Sequence, residues 1–320
     1  MPHRVILDCD PGHDDAIAIL LAHGHPEVEL LAITTVAGNQ TLDKTTHNAR
    51  RVATLAAING VPIAAGCDRP LLRELVTAGG VHGESGLDGA DLPEPSVPLA
   101  DAHAVELIID LVTASPGEVT LVPTGPLTNV ALALRREPRL ARLVREVVLM
   151  GGSYTRGNLT PAAEFNVAVD PEAAAIVFEA GWPLTMIGLD LTHQAQATPE
   201  VVERISAVGT PVSAAVVQLL QFYGRRYRER TGAGAPPVHD PCTIARLVAP
   251  EVVECVDAFV AVETQGRWTS GMTVTEFGAG QGRPCNAKVA TRLDFQGFWD
   301  LVVDALDAIR PPEPPESADA

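Results

Sequence analysis

Short apolar runs with β-favouring residues alternate with helical periods along most of this chain, and that alternation leaves few folds open. Runs at 5–7, 30–36, 61–65, 119–122, 146–150 and 184–189 read as strands. Helical patterns at 14–21, 41–58, 104–112, 127–134 and 171–179 fall between them. The strand runs are apolar at successive positions, as strands buried on both faces are. The pattern predicts an α/β architecture, a mainly parallel central sheet covered by helices on both sides. After residue 199 the chain turns more helical, with further strands expected at 256–262, 269–274 and 287–293 and a last helix at 295–309. No internal repeat and no linker divides it. One domain over 1–310 is expected, followed by a proline-rich acidic tail at 311–320 that is expected to be disordered.

In open sheets of this kind ligands bind beyond the carboxyl ends of the strands, so the residues just after each strand carry the interest. The first strand runs into Asp8-Cys9-Asp10-Pro11-Gly12-His13-Asp14-Asp15, which concentrates aspartates at a strand end and a helix start. Capping and the helix dipole account for Asp14 and Asp15, and Asp10 before Pro-Gly suits a turn. They do not account for the concentration. Carboxylates this close oppose one another's ionisation unless a cation neutralises them, and an all-oxygen donor set implies Ca²⁺ or Mg²⁺ rather than zinc. Two distant segments add donors: Val238-His239-Asp240-Pro241, a second His-Asp pair before a helix, and Pro123-Thr124-Gly125-Pro126, a strand end with an available carbonyl.

Composition excludes several classes. A formal charge of -17 and a pI near 4.8 repel nucleic acid and anionic membranes. The lysines are Lys44 and Lys288, and neither stands in a phosphate-binding loop. The five cysteines never form a Cys-x-x-Cys, so a disulfide framework or zinc knuckle is not expected. The start shows no signal-type segment and no apolar run reaches membrane length, which predicts a soluble cytoplasmic protein. Between 67 and 101, glycines and prolines break the periodicity around His82; a lid and a plain connection both fit. Asn39 and Asn158 head Asn-x-Thr tripeptides, but without a secretory signal they are free for other roles.

The segment 8–16 resembles the hallmark of the nucleoside hydrolases, specifically their inosine-uridine and pyrimidine preferring branch. Similar stretches follow in order at 32–39, 81–86, 122–129, 150–152, 163–166 and 238–241. The resemblance implies a single Rossmann-like α/β domain with its active site at the strand carboxyl ends, assembled into homotetramers or dimers. It implies hydrolysis of the N-glycosidic bond of ribonucleosides of the inosine, uridine and cytidine class to ribose and free base, in nucleoside salvage. One Ca²⁺ per chain would be held by Asp10, Asp15, the Thr124 carbonyl and Asp240, and its water activated by Asp10. Asp14, Asn39, Asn158, Glu164 and Asn166 resemble a ribose clamp, with Asn158 and Glu164 on the 5′ side and Asp14 and Asn166 at the 2′ and 3′ hydroxyls. His239 would help the base depart by donating a proton near neutral pH. His82, Met150, Phe165 and Tyr227 fall among the expected substrate contacts.

One departure bears on specificity: 228–237 is richer in Gly and Pro than the family pattern, which leaves purine against pyrimidine preference open. Two alternatives stand beside this reading. A haloacid-dehalogenase-like phosphohydrolase also places Asp-x-Asp after its first strand, but it should show a threonine after the second aspartate and a well-placed lysine. An inactive ribose or nucleoside binding module on the same scaffold would keep the clamp without the chemistry.

Overall fold

The computed structural model describes residues 1–232, 234–278 and 282–309. One nine-stranded sheet organises it: β1 (His3–Cys9), β2 (Val28–Thr35), β3 (Ile63–Ala65), β4 (Val119–Pro123), β5 (Glu146–Met150), β6 (Leu184–Ile187), β7 (Val253–Val262), β8 (Thr273–Phe277) and β9 (Ala287–Leu293). Their spatial order is β3-β2-β1-β4-β5-β6-β9-β7-β8. Every neighbouring pair from β3 to β9 is parallel, and β7 runs antiparallel to both β9 and β8. The mainly parallel α/β fold expected from the alternation is the fold observed.

Alternate residues of β1 feed two cores. Val5, Leu7 and Cys9 pack with helices His13–Gly24 and Phe295–Ala308, while Ile6 packs on the other face with helices Ala104–Ala114, Thr128–Arg136 and Pro171–Phe178. Both faces are therefore closed, which is why β1 carries no polar alternation until Asp8.

The strand order reverses between β1 and β4, the switch point at which such sheets form a crevice. Register makes the strand ends coincide there: Cys9 pairs with Thr35, and Asp8 with Pro123. The ladder continues one step further, with Val36 N–H donating to Cys9 O and Thr124 N–H to Asp8 O. Asp10, the 36–40 loop and Thr124 thus emerge side by side.

The strand expected at 61–65 begins at Ile63 and the one expected at 256–262 begins at Val253, and three further bounds move for local reasons. The strand expected at 269–274 begins at Thr273, because Thr269 to Met272 form a turn with Gly271 at φ +85. The helix expected to reach 58 ends at Leu55, where Ala57 enters the left-handed region at φ 52. The strand expected to reach 189 stops at Ile187 and gives way to a short helix, Leu189–Thr192. The tail at 311–320 lies outside the described residues. The five cysteines are free, with Cys9 and Cys242 buried. Among the described residues no helix is long and apolar enough to cross a membrane.

Candidate active site

Asp10 leaves β1 in a turn that has no room for larger neighbours. A Cβ on Gly38 would lie 2.1 Å from Asp10 Oδ2, and one on Gly125 would lie 2.6 Å from Oδ1, so two loops close on this carboxylate only because both residues are glycine. Oδ2 accepts the Asn39 N–H at 2.6 Å, whereas Oδ1 is buried and has no hydrogen-bond partner among the described residues. A buried carboxylate oxygen left without a donor is costly unless a cation faces it.

Asp14 and Asp15 occupy the first turn of helix His13–Gly24. Asp15 is held in place by hydrogen bonds: its oxygens accept Gly12 N–H at 3.0 Å, Asp10 N–H at 3.2 Å, the Thr124 hydroxyl at 3.0 Å and the Asn39 amide at 3.2 Å. Asp240 precedes helix Pro241–Val248, whose proline at the first position has no N–H and needs no acceptor, and its carboxylate makes no capping bond. Single oxygens of Asp14, Asp15 and Asp240 lie within 4.8 Å of one another, an acidic cluster that could hold a metal ion. Asp10 stands next to this trio rather than within it.

All of the expected site residues except Asp10 and Asp15 line one cavity of about 280 Å³; those two lie fully buried beneath it. Asn166 donates its amide to Thr124 O at 2.7 Å and to Met150 O at 3.2 Å, joining the ends of β4 and β5. Glu164 caps helix Phe165–Val169, accepting N–H groups of Asn166, Val167 and Gly152. Asn158 is exposed on the rim and accepts the Phe165 N–H at 2.9 Å.

His82 ends a short helix, Gly79–His82, within the 67–101 excursion, which covers one side of the cavity. Helix Leu42–Leu55 ties that excursion down: Asn48 donates to Ser85 O, Arg50 to Val97 O and Arg51 to Leu92 O.

Several residues in or behind the lining have no role that the sequence alone assigns: Tyr223, Arg230 and His193 line the cavity, and His13 and Thr192 are buried behind it. His13 sits between His82 and Phe222, with ring centroids 5.3 Å from each, and its Nδ1 lies 3.0 Å from His82 Nδ1. Tyr223 and Tyr227 share a face of helix Pro211–Thr231, and Arg230 follows near its end. Spacing of four along that helix was a signal for Tyr223 once Tyr227 was chosen. Thr192 and His193 approach His239: Thr192 Oγ1 is 2.7 Å from His239 Nδ1, and the His193 ring meets it edge-on at 5.9 Å.

Burial, with the mutual repulsion of the aspartates, holds Asp10 and Asp240 well above the usual carboxylate range and Asp14 up to about 7. Asp8 is raised to about 6 by burial, against hydrogen bonds from Thr34 and Asn129. Burial, then His193 and Arg230, pushes His239 down to about 3. A ring so depressed is neutral near neutral pH. A proton that the ring gives up at that pH would come from a neutral N–H.

The raised carboxyls give a pH signature to the metal-free protein. Asp8 binds its proton more tightly when folded, so stability is gained as the pH falls through about 6 towards 3.8 and is lost above. That shift corresponds to about 3 kcal/mol. Chelated protein is expected to melt higher near pH 6 than near pH 8, and added Ca²⁺ to raise the melting temperature more at the higher pH. Differential scanning calorimetry checks this; a chelated protein whose melting point rises with pH over that interval contradicts it.

Comparison with known proteins agrees with the geometry. Residues 5–300 match the family model described as inosine-uridine preferring nucleoside hydrolase. The chain is 52% identical over 315 residues to the inosine-uridine preferring nucleoside hydrolase of Crithidia fasciculata, covering 98% of this chain and 100% of that one. It is 51% identical over 312 residues to the pyrimidine-specific ribonucleoside hydrolase RihA of Shewanella sp. (strain ANA-3), covering 97% and 98%. Among solved structures, the purine-preferring ribonucleoside hydrolase from Gardnerella vaginalis superposes with a TM-score of 0.90 at 30% identity, over 96% of this chain and 98% of that one. With a match across nearly its whole length and an acidic pocket at the switch point of its sheet, this chain belongs to the inosine-uridine preferring nucleoside hydrolase family of enzymes.

Proposed function

We propose that residues 1–310 form one catalytic domain that hydrolyses the N-glycosidic bond of ribonucleosides of the inosine, uridine and cytidine class, releasing ribose and free base for salvage. The observation that carries this reading is the unpartnered, buried Oδ1 of Asp10 beside the Asp14, Asp15 and Asp240 cluster, at the floor of a cavity of nucleoside size.

The donors present fit a hard cation, and the reading assigns one Ca²⁺ to Asp10, Asp15, Asp240 and the Thr124 carbonyl. When bound, such an ion neutralises the carboxylates and supplies Lewis acidity to oxygen ligands. Asp10 takes a proton from the attacking water; its poorly solvated carboxylate is a stronger base than an exposed one. The remaining carboxylates favour the positive charge that develops on the sugar ring as the bond to the base lengthens. Asp14, whose Oδ2 accepts the His239 backbone N–H at 3.2 Å, meets the sugar diol together with Asn166 and Asn39. Glu164 and Asn158 serve the 5′ side. His239, His82, Phe165 and Tyr227 surround the base, with Met150 beneath the sugar.

A reducing-sugar assay on inosine, uridine, cytidine and adenosine, with and without chelator, tests this. Chelator-sensitive ribose release, restored by Ca²⁺, is the expected result. Release that survives exhaustive chelation sinks the metal-dependent mechanism, and no release from any nucleoside in the presence of Ca²⁺ points to a binding module.

A further inference from the structure

The helix that follows β6 brings two neighbouring side chains onto one ring. Thr192 is completely buried at the end of helix Leu189–Thr192, and its hydroxyl lies 2.7 Å from His239 Nδ1. His193, the next residue, meets the same ring edge-on, at 5.9 Å and an interplanar angle of 61°. The His239 N–H is fixed on Asp14 Oδ2. Backbone, ring plane and one ring nitrogen of His239 are thus each held by a separate contact.

The donor inventory decides what the Thr192 contact does. A threonine hydroxyl carries one hydrogen, and among the described residues His239 Nδ1 is the one hydrogen-bond partner of this hydroxyl. If Nδ1 carried the ring proton, the hydroxyl would accept it, and its own hydrogen would be left in a buried place without an acceptor. If Nδ1 is the lone-pair nitrogen, both groups are satisfied and the proton belongs on Nε2, which has no hydrogen-bond partner among the described residues. We propose that Thr192 is a positioning residue: its hydroxyl donates to His239 Nδ1 and locks the ring in the Nε2–H tautomer, which offers a donor to the departing base.

This rests on the reading of His239 as that donor. It concerns which ring nitrogen carries the proton, in the way that an orienting group fixes the tautomer of a catalytic histidine elsewhere. Thr192→Val keeps the shape and removes the hydroxyl, so Nδ1–H becomes accessible and Nε2 presents a lone pair to the base. Thr192→Ser restores the hydroxyl. The penalty falls on leaving groups that need a donor. It spares a nitrophenolate, which departs without one.

The test measures kcat and KM on uridine and on 4-nitrophenyl β-ribofuranoside for the Ca²⁺-loaded wild type, Thr192→Val, Thr192→Ser and His239→Ala. The expected result is a fall in uridine kcat of about 10- to 100-fold in Thr192→Val, with KM and the nitrophenyl rate nearly unchanged and Thr192→Ser close to wild type. A ¹⁵N spectrum of the wild type should show His239 protonated at Nε2. Equal losses on both substrates would mark a packing defect and overturn the proposal, as would an Nδ1–H tautomer or full uridine activity in Thr192→Val. If His239→Ala is slow while Thr192→Val is not, Thr192 fails alone. If His239→Ala keeps the wild-type rate on uridine, the reading of His239 fails and the proposal with it.

Discussion

Asp10→Asn, assayed with saturating Ca²⁺, is expected to lower kcat on uridine by about 10²- to 10⁴-fold, the range of a lost general base. The substitution is close to isosteric, and the amide oxygen can still accept the Asn39 N–H that now reaches Oδ2 at 2.6 Å. What disappears is a group able to take the proton of water. Stability should not suffer, because the exchange removes one carboxylate from a cluster whose members raise one another's pKa. The slow variant should therefore melt at or above the wild-type temperature without metal. Steady-state kinetics with calorimetry on the same samples checks both parts. A variant within tenfold of wild type would mean that Asp10 is only a ligand.

2′-Deoxyuridine should be cleaved at least about 10³-fold more slowly than uridine in kcat/KM, the scale on which a site built to bind a hydroxyl rejects a substrate lacking it. The floor of the cavity is unusually polar for its burial. Asp14, Asn39, Asn166 and Asp240 are each less than a tenth exposed, and Thr124 almost wholly buried. With the sugar diol in place these groups have partners. Without the 2′ hydroxyl one of them faces a gap, and a charged group such as Asp14 so stranded costs more than the about 1–3 kcal/mol of a neutral one, with about 4 kcal/mol needed for 10³-fold. The base is the same in both substrates, so the comparison isolates the sugar contact. Rates within tenfold of each other would remove the diol clamp from the account.

The sequence made the scaffold legible because its signals are local. Strands apolar at successive positions, such as Val5 to Leu7 and Val119 to Val122, declare burial on both faces, and the parallel sheet follows. The aspartate-rich strand end at Asp8 to Asp15 was equally plain. That Asp240 would lie against Asp14 and Asp15 was not visible from spacing, since it arrives from a separate helix start more than two hundred residues on. The family resemblance carried that expectation.

What stayed hidden depends on contacts across the fold. Nothing local to the motif shows what His13 does, because its partners His82 and Phe222 arrive from the 67–101 excursion and from a late helix. Thr192 follows a strand read two residues too long. The early helix that places its hydroxyl is set by packing of Leu189 and Leu191, not by periodicity. The depressed pKa of His239 likewise comes from burial and from His193 and Arg230, which no local pattern relates to it.

The most direct test of water-mediated hydrolysis at this site is to cleave uridine in ¹⁸O-labelled water and weigh the products. The account predicts one ¹⁸O in ribose, read promptly before the free sugar exchanges with solvent, none in uracil, and no product when the protein is chelated. Label in the base, or cleavage that requires phosphate and yields a sugar phosphate, would contradict it.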